Sequence, residues 1–223
     1  MNAKPILFSA DMVRALLNGQ KTQTRRIIKP QPLPHQEWSG WVMESTSRKE
    51  IGCARWSSDG IGRTSLSDAV YARPPARAGD LLYVRETWRQ FDSADECDHM
   101  DFPCSCPTNG APIFRATHDD GESAWKPSIH MPRWASRLTL RITSVRVERL
   151  QDISQKDAIA EGCDSSESAA ANSTGWYEKP VRAFQRLWES TYSEDNWASN
   201  PWVWVVEFEV IQANVDRVIE EAA

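Results

Sequence analysis

The stretch NGQKTQTRR, residues 18–26, places Lys21, Thr22, Thr24, Arg25 and Arg26 directly behind a glycine. Three chemistries fit that set: a clamp for phosphate, a catalytic lysine–hydroxyl pair, or the polar side of an ordinary strand. A threonine hydroxyl becomes a nucleophile only when a base takes its proton. A lysine serves as that base only when burial or neighbouring cations, here Arg25 and Arg26, lower its pKa. In a regular strand Lys21 and Thr24 point to opposite faces, because three is an odd offset. They converge only if Gly19 to Thr22 is a turn and the strand begins after it.

Other residues offer chemistry of their own. Arg85 and Arg133, with Arg25 and Arg26, are candidates to line a groove that contacts phosphate, or else form a solvated face. Glu86, beside Arg85, is a candidate partner for a cleft cation or for a surface ion pair. KPSIHMPRWAS, residues 126–136, sets His130, Met131, Pro132, Arg133 and Trp134 in succession. His130 can donate to a base edge or act as an acid near neutral pH, or pack in a loop. Among the 11 tryptophans, Trp88 and Trp134 are the candidates to stack on an unpaired base, whereas Trp188, Trp202 and Trp204 fall on core-like elements. ECDHMDFPCSC, residues 96–106, offers Cys97, His99, Cys104 and Cys106 as ligands for a structural zinc. Its C-x-H-x4-C-x-C spacing is not that of a standard finger, and plain thiols are the other reading.

The elements that must position these groups follow from pattern. KPILFSADMVRALLNGQ reads as a short strand and then a helix capped by Ser9 and stopped by Gly19. KTQTRRII reads as a strand, closed by Pro30, Pro32 and Pro34. Residues 36–78 lack sustained periodicity and read as an insertion, with a hairpin around GWVMES and GCARWSS; residues 90–112 read as a second, loop-rich insertion. AGDLLYVRETW is a turn and strand, PIFRAT a short strand, and SRLTLRITSVRVERL an alternating strand long enough to bend or split. DISQKDAIAEGC is a helix capped by Ser154 and stopped by Gly162, PVRAFQRLWESTY a second helix, and NPWVWVVEFEVI a largely buried strand. This order predicts an α+β chain built on a small, mostly antiparallel barrel.

Bulk properties set the outer limits. The net charge of −5 and pI near 5.5 argue against a protein that coats nucleic acid by charge alone, though not against a local basic cleft. No run approaches the ~20 apolar residues that span a bilayer, and the N-terminal segment lacks a signal peptide's apolar core. The expected location is cytoplasmic, without membrane partners.

Four motifs in order carry a resemblance. LLNGQKTQTRR resembles the G-x-K-T-x-T-x-R entry of ASCH domains, a branch of the PUA-like superfamily. AGDLLYVRETW resembles that family's G-D-x-L-x-V strand, DAIAEGC its helix ending in A-x-x-E-G, and WVWVVEFEV its closing strand. WKPSIHMPRWASRLTLRITSVRVERLQDIS is similar to phage and prophage ASCH-like proteins. The resemblance leaves out residues 36–78 and 90–112. It implies a single ASCH domain over residues 1–223, a PUA-like mixed β-barrel with flanking helices and two loop-rich insertions. It also implies a fold that faces RNA or a nucleobase. Small bacterial members are amidohydrolases that deacetylate N4-acetylcytidine with a Lys, a Thr and a Glu, which match Lys21, Thr24 and Glu161 here. On that reading Thr24 is the nucleophile and Lys21 the base. Glu161 orients the lysine, holds the exocyclic nitrogen or shuttles a proton, and no cofactor is required for catalysis. Other members bind RNA or act as ribonucleases, so the expected partner is a modified nucleoside or RNA. A carboxylate beside Lys21 would oppose its role as base by raising its pKa, so the outcome depends on which neighbour dominates.

Overall fold

The computed structural model describes residues 3–58, 68–97, 105–118, 121, 123–164, 173 and 178–222. The chain is mixed α+β. Its first part holds β1 (Lys4–Leu7), α1 (Ala10–Leu17), β2 (Gln23–Ile27), β3 (Glu37–Trp41), β4 (Ala54–Ser57), β5 (Val70–Ala72) and β6 (Leu81–Arg85). There follow β7 (Trp88–Gln90), α2 (Ser93–Glu96), β8 (Pro112–Phe114), α3 (Arg115–His118) and β9 (Thr139–Arg149). The rest comprises α4 (Gln155–Ala160), α5 (Pro180–Thr191), α6 (Glu194–Ala198), β10 (Trp202–Ile211) and α7 (Val215–Glu221). The described strands form open sheets, with no closed barrel among them. No helix among the described residues is long and apolar enough to cross a membrane.

Two compact units emerge. The first comprises Met1–Gly19, Asp80–Arg141 and Glu209–Ala223. In it β1 runs parallel to β6, with Ile6 opposite Val84, and β6 pairs antiparallel with the start of β9, with Leu82 opposite Leu140. Ser9 caps α1 by accepting from the Met12 amide at 3.4 Å, and the helix buries Val13, Ala15 and Leu16. Gly19 then takes φ = +72°, a left-handed conformation that costs glycine no Cβ clash, and ends the helix. The C-terminal α7, unanticipated from an acid-rich sequence, buries Val215 and Val218 against Ala3 and Leu81.

The second unit comprises Gln20–Gly79 and Ile142–Phe208. β2 pairs antiparallel with β10, with Val203 opposite Ile27, Val205 opposite Arg25 and Glu207 opposite Gln23. The period of two sorts these strands into two faces. Val203 and Val205 pack with Leu150, Ala158, Phe184 and Trp188 from the helical side. On the other face Trp202 and Trp204 meet Trp56 and Trp41. The stretch 36–78, expected to be partly irregular, contains the β3–β4 hairpin and also β5, which together make a three-stranded sheet. The alternating run 136–150 is one strand of 11 residues, β9, rather than two.

Candidate functional site

The site lies within the second unit, where the start of β2 meets the end of α4. Ser154 caps α4 in a reciprocal capping box with Asp157, and Gly162 at φ = +96° ends it, leaving Glu161 as the C-terminal cap residue. Backbone bonds fix this end against β2: the Thr22 amide donates to the Ala160 carbonyl at 2.8 Å, and the Phe208 amide to the Thr22 carbonyl at 2.9 Å. The turn itself is Asn18–Gly19, β2 begins at Gln23, and Gln20–Thr22 between them has no regular structure.

Lys21 and Glu161, 140 positions apart, meet there. Lys21 Nζ donates to Glu161 Oε2 and to the Glu161 carbonyl, both at 2.8 Å. Lys21 is 0% exposed and Glu161 4%. Desolvation lowers the Lys21 pKa from its ordinary value, and the nearby Arg26 charge lowers it further. The Glu161 charge and hydrogen bond push the other way and do not prevail. Burial thus outweighs the carboxylate, and the Lys21 pKa lies below its ordinary value.

Arg25 is also buried and does not reach outward to a phosphate. Its Nη1 donates to Glu161 Oε1 at 3.2 Å and its Nη2 to Glu148 Oε2 at 2.9 Å, with Asp157 Oδ2 3.7 Å away. Arg146 extends the network: Nε donates to Glu148 Oε1 at 2.5 Å, Nη2 to Asp157 Oδ1 at 3.1 Å, and Nη1 to Glu207. Burial opposes ionisation of Asp157, yet the Ser154 hydrogen bonds and the Arg25 and Arg146 charges hold its carboxyl below the usual range. Burying these charges costs several kcal/mol per ion unless partners compensate, and here each carboxylate has a cation in reach. Cys163, beside this cluster, has its thiol pushed up to about 12 by burial and then by Glu161.

Thr24 lies on the other face of β2. Lys21, Gln23 and Arg25 all reach α4 or its cap, Gln23 through a 3.0 Å bond to the Asp157 carbonyl. Thr24 and Arg26 alternate away from them, and Arg26 Nη1 donates to Thr24 Oγ1 at 3.2 Å. Thr24 is fully buried, and among the described residues no hydrogen bond joins its hydroxyl to Lys21 or Glu161. The structure thus unites Lys21 with Glu161 just before β2, and Thr24 with Arg26 on the far face of β2, as two separate pairs.

The remaining candidates belong to the first unit. Arg85 donates to the Ile129 carbonyl, and Arg133 donates to Asp216 Oδ1 at 2.9 and 2.6 Å, so both are engaged by protein acceptors. Glu86, expected at a surface or a cleft, is buried and held by both arms of Arg137 at 2.9 Å. Burial raises its pKa, and the Arg137 hydrogen bonds and charge oppose the shift. Trp88 packs with Phe114, Met131 and Ala135, so it presents no face for a base. Trp134, edge-on to Trp88 at 5.8 Å, is 55% exposed and does present one. His130 is exposed at the end of a short turn, Ser128–His130. Of the zinc candidates, His99 and Cys104 lie outside the described residues; Cys97 and Cys106 are half-buried. Among the described residues no three metal-capable side chains cluster.

Glu148, Asp157, Arg146 and Glu207 went unanticipated. Ser144, Arg146 and Glu148 do show a signal, polar residues at a spacing of two on one face of β9, but their partners depend on β10 and α4. Comparison of the chain with protein-family models, with curated proteins and with solved structures returns no match.

Proposed function

We propose that this chain is an amidohydrolase that removes the acyl group from an acylated cytosine such as N4-acetylcytidine, on a PUA-like fold of the ASCH type. One observation carries the reading: a lysine without solvent exposure, oriented by a carboxylate 2.8 Å away, whose pKa burial lowers. A buried amine whose pKa is lowered gives up its proton more readily, which suits it to act as a general base.

Lys21 Nζ accepts the Thr24 hydroxyl proton, and Thr24 Oγ1 bonds to the acyl carbon. The amide C–N bond breaks, and the exocyclic nitrogen leaves with a proton supplied by Lys21. Water then attacks the Thr24 ester, giving a proton to Lys21, which passes it to Thr24 Oγ1 as the ester C–O bond breaks and the carboxylic acid leaves. Arg26 holds Thr24 Oγ1 on the face of β2 opposite the Lys21–Glu161 pair, so the first transfer requires the segment before β2 to carry Lys21 toward that hydroxyl. Lys21 and Thr24 have no exposed surface, so the acyl group enters when a covering side chain swings aside. Arg26, half-buried, is placed to do so and then to donate to the acyl oxygen as charge develops.

A module that only binds RNA needs an open basic track. The engagement of Arg25, Arg85 and Arg133 by protein acceptors favours the enzyme. Incubation of the protein with N4-acetylcytidine, free and within RNA, tests the choice by chromatographic detection of cytidine. Wild type is expected to release it, and Lys21→Ala, Thr24→Ala and Glu161→Ala to fail. Tight, salt-sensitive RNA binding without release would move the assignment to the RNA-binding reading.

A further inference from the structure

The hydrolase reading leaves open what holds the ring of the substrate, and the sheet face carrying Thr24 supplies an answer. In the β2–β10 ladder Trp204 lies directly opposite Arg26, and Val206 opposite Thr24. Partners in such a ladder project to the same face, about 5 Å apart. Trp204, Arg26 and Thr24 therefore share one patch of sheet. Trp204 is buried, and what covers it is Trp41, stacked at 5.9 Å between ring centroids and 22° between planes. Trp41 comes from β3, in the stretch 36–78 that the resemblance leaves out.

Trp41 is fixed in place. Trp38 meets it edge-on at 5.8 Å and itself packs on the fully buried Trp56 at 5.2 Å. Gly40 precedes it at φ = +108°, a conformation that suits glycine, where the β3–β4 register shifts. Held by Trp204 and Trp38, Trp41 is still 37% exposed. A large aromatic held rigidly and left partly open beside a polar group is the arrangement that receives a planar ligand.

We infer that Trp41 is the stacking platform for the pyrimidine ring of the substrate, held over Trp204 so that the exocyclic amide of that ring meets Arg26 and Thr24. The inference rests on the hydrolase reading for its ligand class, an acylated pyrimidine nucleoside, but it makes a separate claim about ring binding. Aromatic stacking tolerates ring identity, so the platform serves product as well as substrate.

Cytidine, which cannot be hydrolysed, probes the platform whether or not turnover occurs. Calorimetric titration of wild type, Trp41→Ala, Trp41→Leu and Trp41→Phe is the experiment. Trp41→Leu keeps an apolar cover on Trp204 without a ring, should Trp41→Ala fold poorly. Loss of the ring is expected to weaken cytidine binding about tenfold, and Trp41→Phe to recover most of it. With N4-acetylcytidine the same loss is expected as a raised KM at nearly constant kcat. Equal affinity of wild type and Trp41→Leu, no recovery by Trp41→Phe, or no cytidine binding to wild type would each overturn the platform. Trp41-dependent cytidine binding without hydrolysis would keep the platform and remove the hydrolase reading. Hydrolysis with KM unchanged in Trp41→Leu would do the reverse.

Discussion

Replacing Glu161 by glutamine keeps its shape and removes the charge that holds two buried cations. Lys21 Nζ loses its carboxylate partner at 2.8 Å, and Arg25 Nη1 its partner at 3.2 Å. Arg25 still has Glu148 at 2.9 Å, and Lys21 still has the Glu161 carbonyl. Removing one member of a buried ion pair costs about 3–5 kcal/mol, because the other charge stays buried without compensation. For a chain of this size each kcal/mol moves Tm by about 2–4 °C, so the expected fall is on the order of 10 °C. Replacing both members, Lys21→Met with Glu161→Leu, removes the uncompensated charge. The double variant is expected to lose about 1–2 kcal/mol, mainly from Arg25. The pH dependence has a definite sign. The folded-state pKa of Lys21 lies below its unfolded value, and without Glu161, which raises it, the folded value falls further. Between those two values the unfolded chain holds a proton that the native chain lacks, so stability rises with pH. Glu161→Gln is thus expected to lose more stability near pH 7 than near pH 10. Urea denaturation followed by tryptophan fluorescence at both pH values measures this. A loss under about 1 kcal/mol, or a double variant as weak as the sum of the singles, would refute the reasoning.

Thr24→Ser is expected to keep measurable deacylation because it retains a hydroxyl, and Thr24→Ala to lose about a hundredfold or more in kcat with a fall of only a few °C in melting temperature from the lost buried hydroxyl. Cys163, whose thiol is pushed up to about 12, is expected to resist alkylation near pH 8 in the native protein and to label in urea, as read by peptide mass spectrometry. Glu86 has a folded pKa above its unfolded one, so it makes stability fall as pH rises above about 4.5. Glu86→Gln is expected to abolish that component of the pH profile in urea titrations.

The parts of the fold legible in the sequence are those governed by local rules. Ser9 and Ser154 cap helices, Gly19 and Gly162 stop them, and the alternation of β9 and β10 gives strands. What local rules cannot reach is pairing across the chain. Nothing in the spacing of Lys21 and Glu161 joins them; only a family resemblance pointed to both. Arg25 looked like a phosphate contact because its partners, Glu148 and Asp157, arrive from β9 and α4. Trp41 was illegible because β3 is short and interrupted at Gly40, so it shows no period of two, and its stack on Trp204 joins distant strands. Trp88 and Trp134 looked alike in sequence, and only packing against Phe114 and Met131 separates them.

The most direct measurement is an acid-quenched reaction with N4-acetylcytidine, followed by intact-mass and peptide analysis of the protein. Transient attachment of one acetyl group to the peptide containing Thr24, in wild type and absent from Thr24→Ala and Lys21→Ala, is the expected result. Release of cytidine with no acetyl group on Thr24, an acetyl group carried by Lys21 instead, or no release at all would contradict a threonine nucleophile served by a buried lysine.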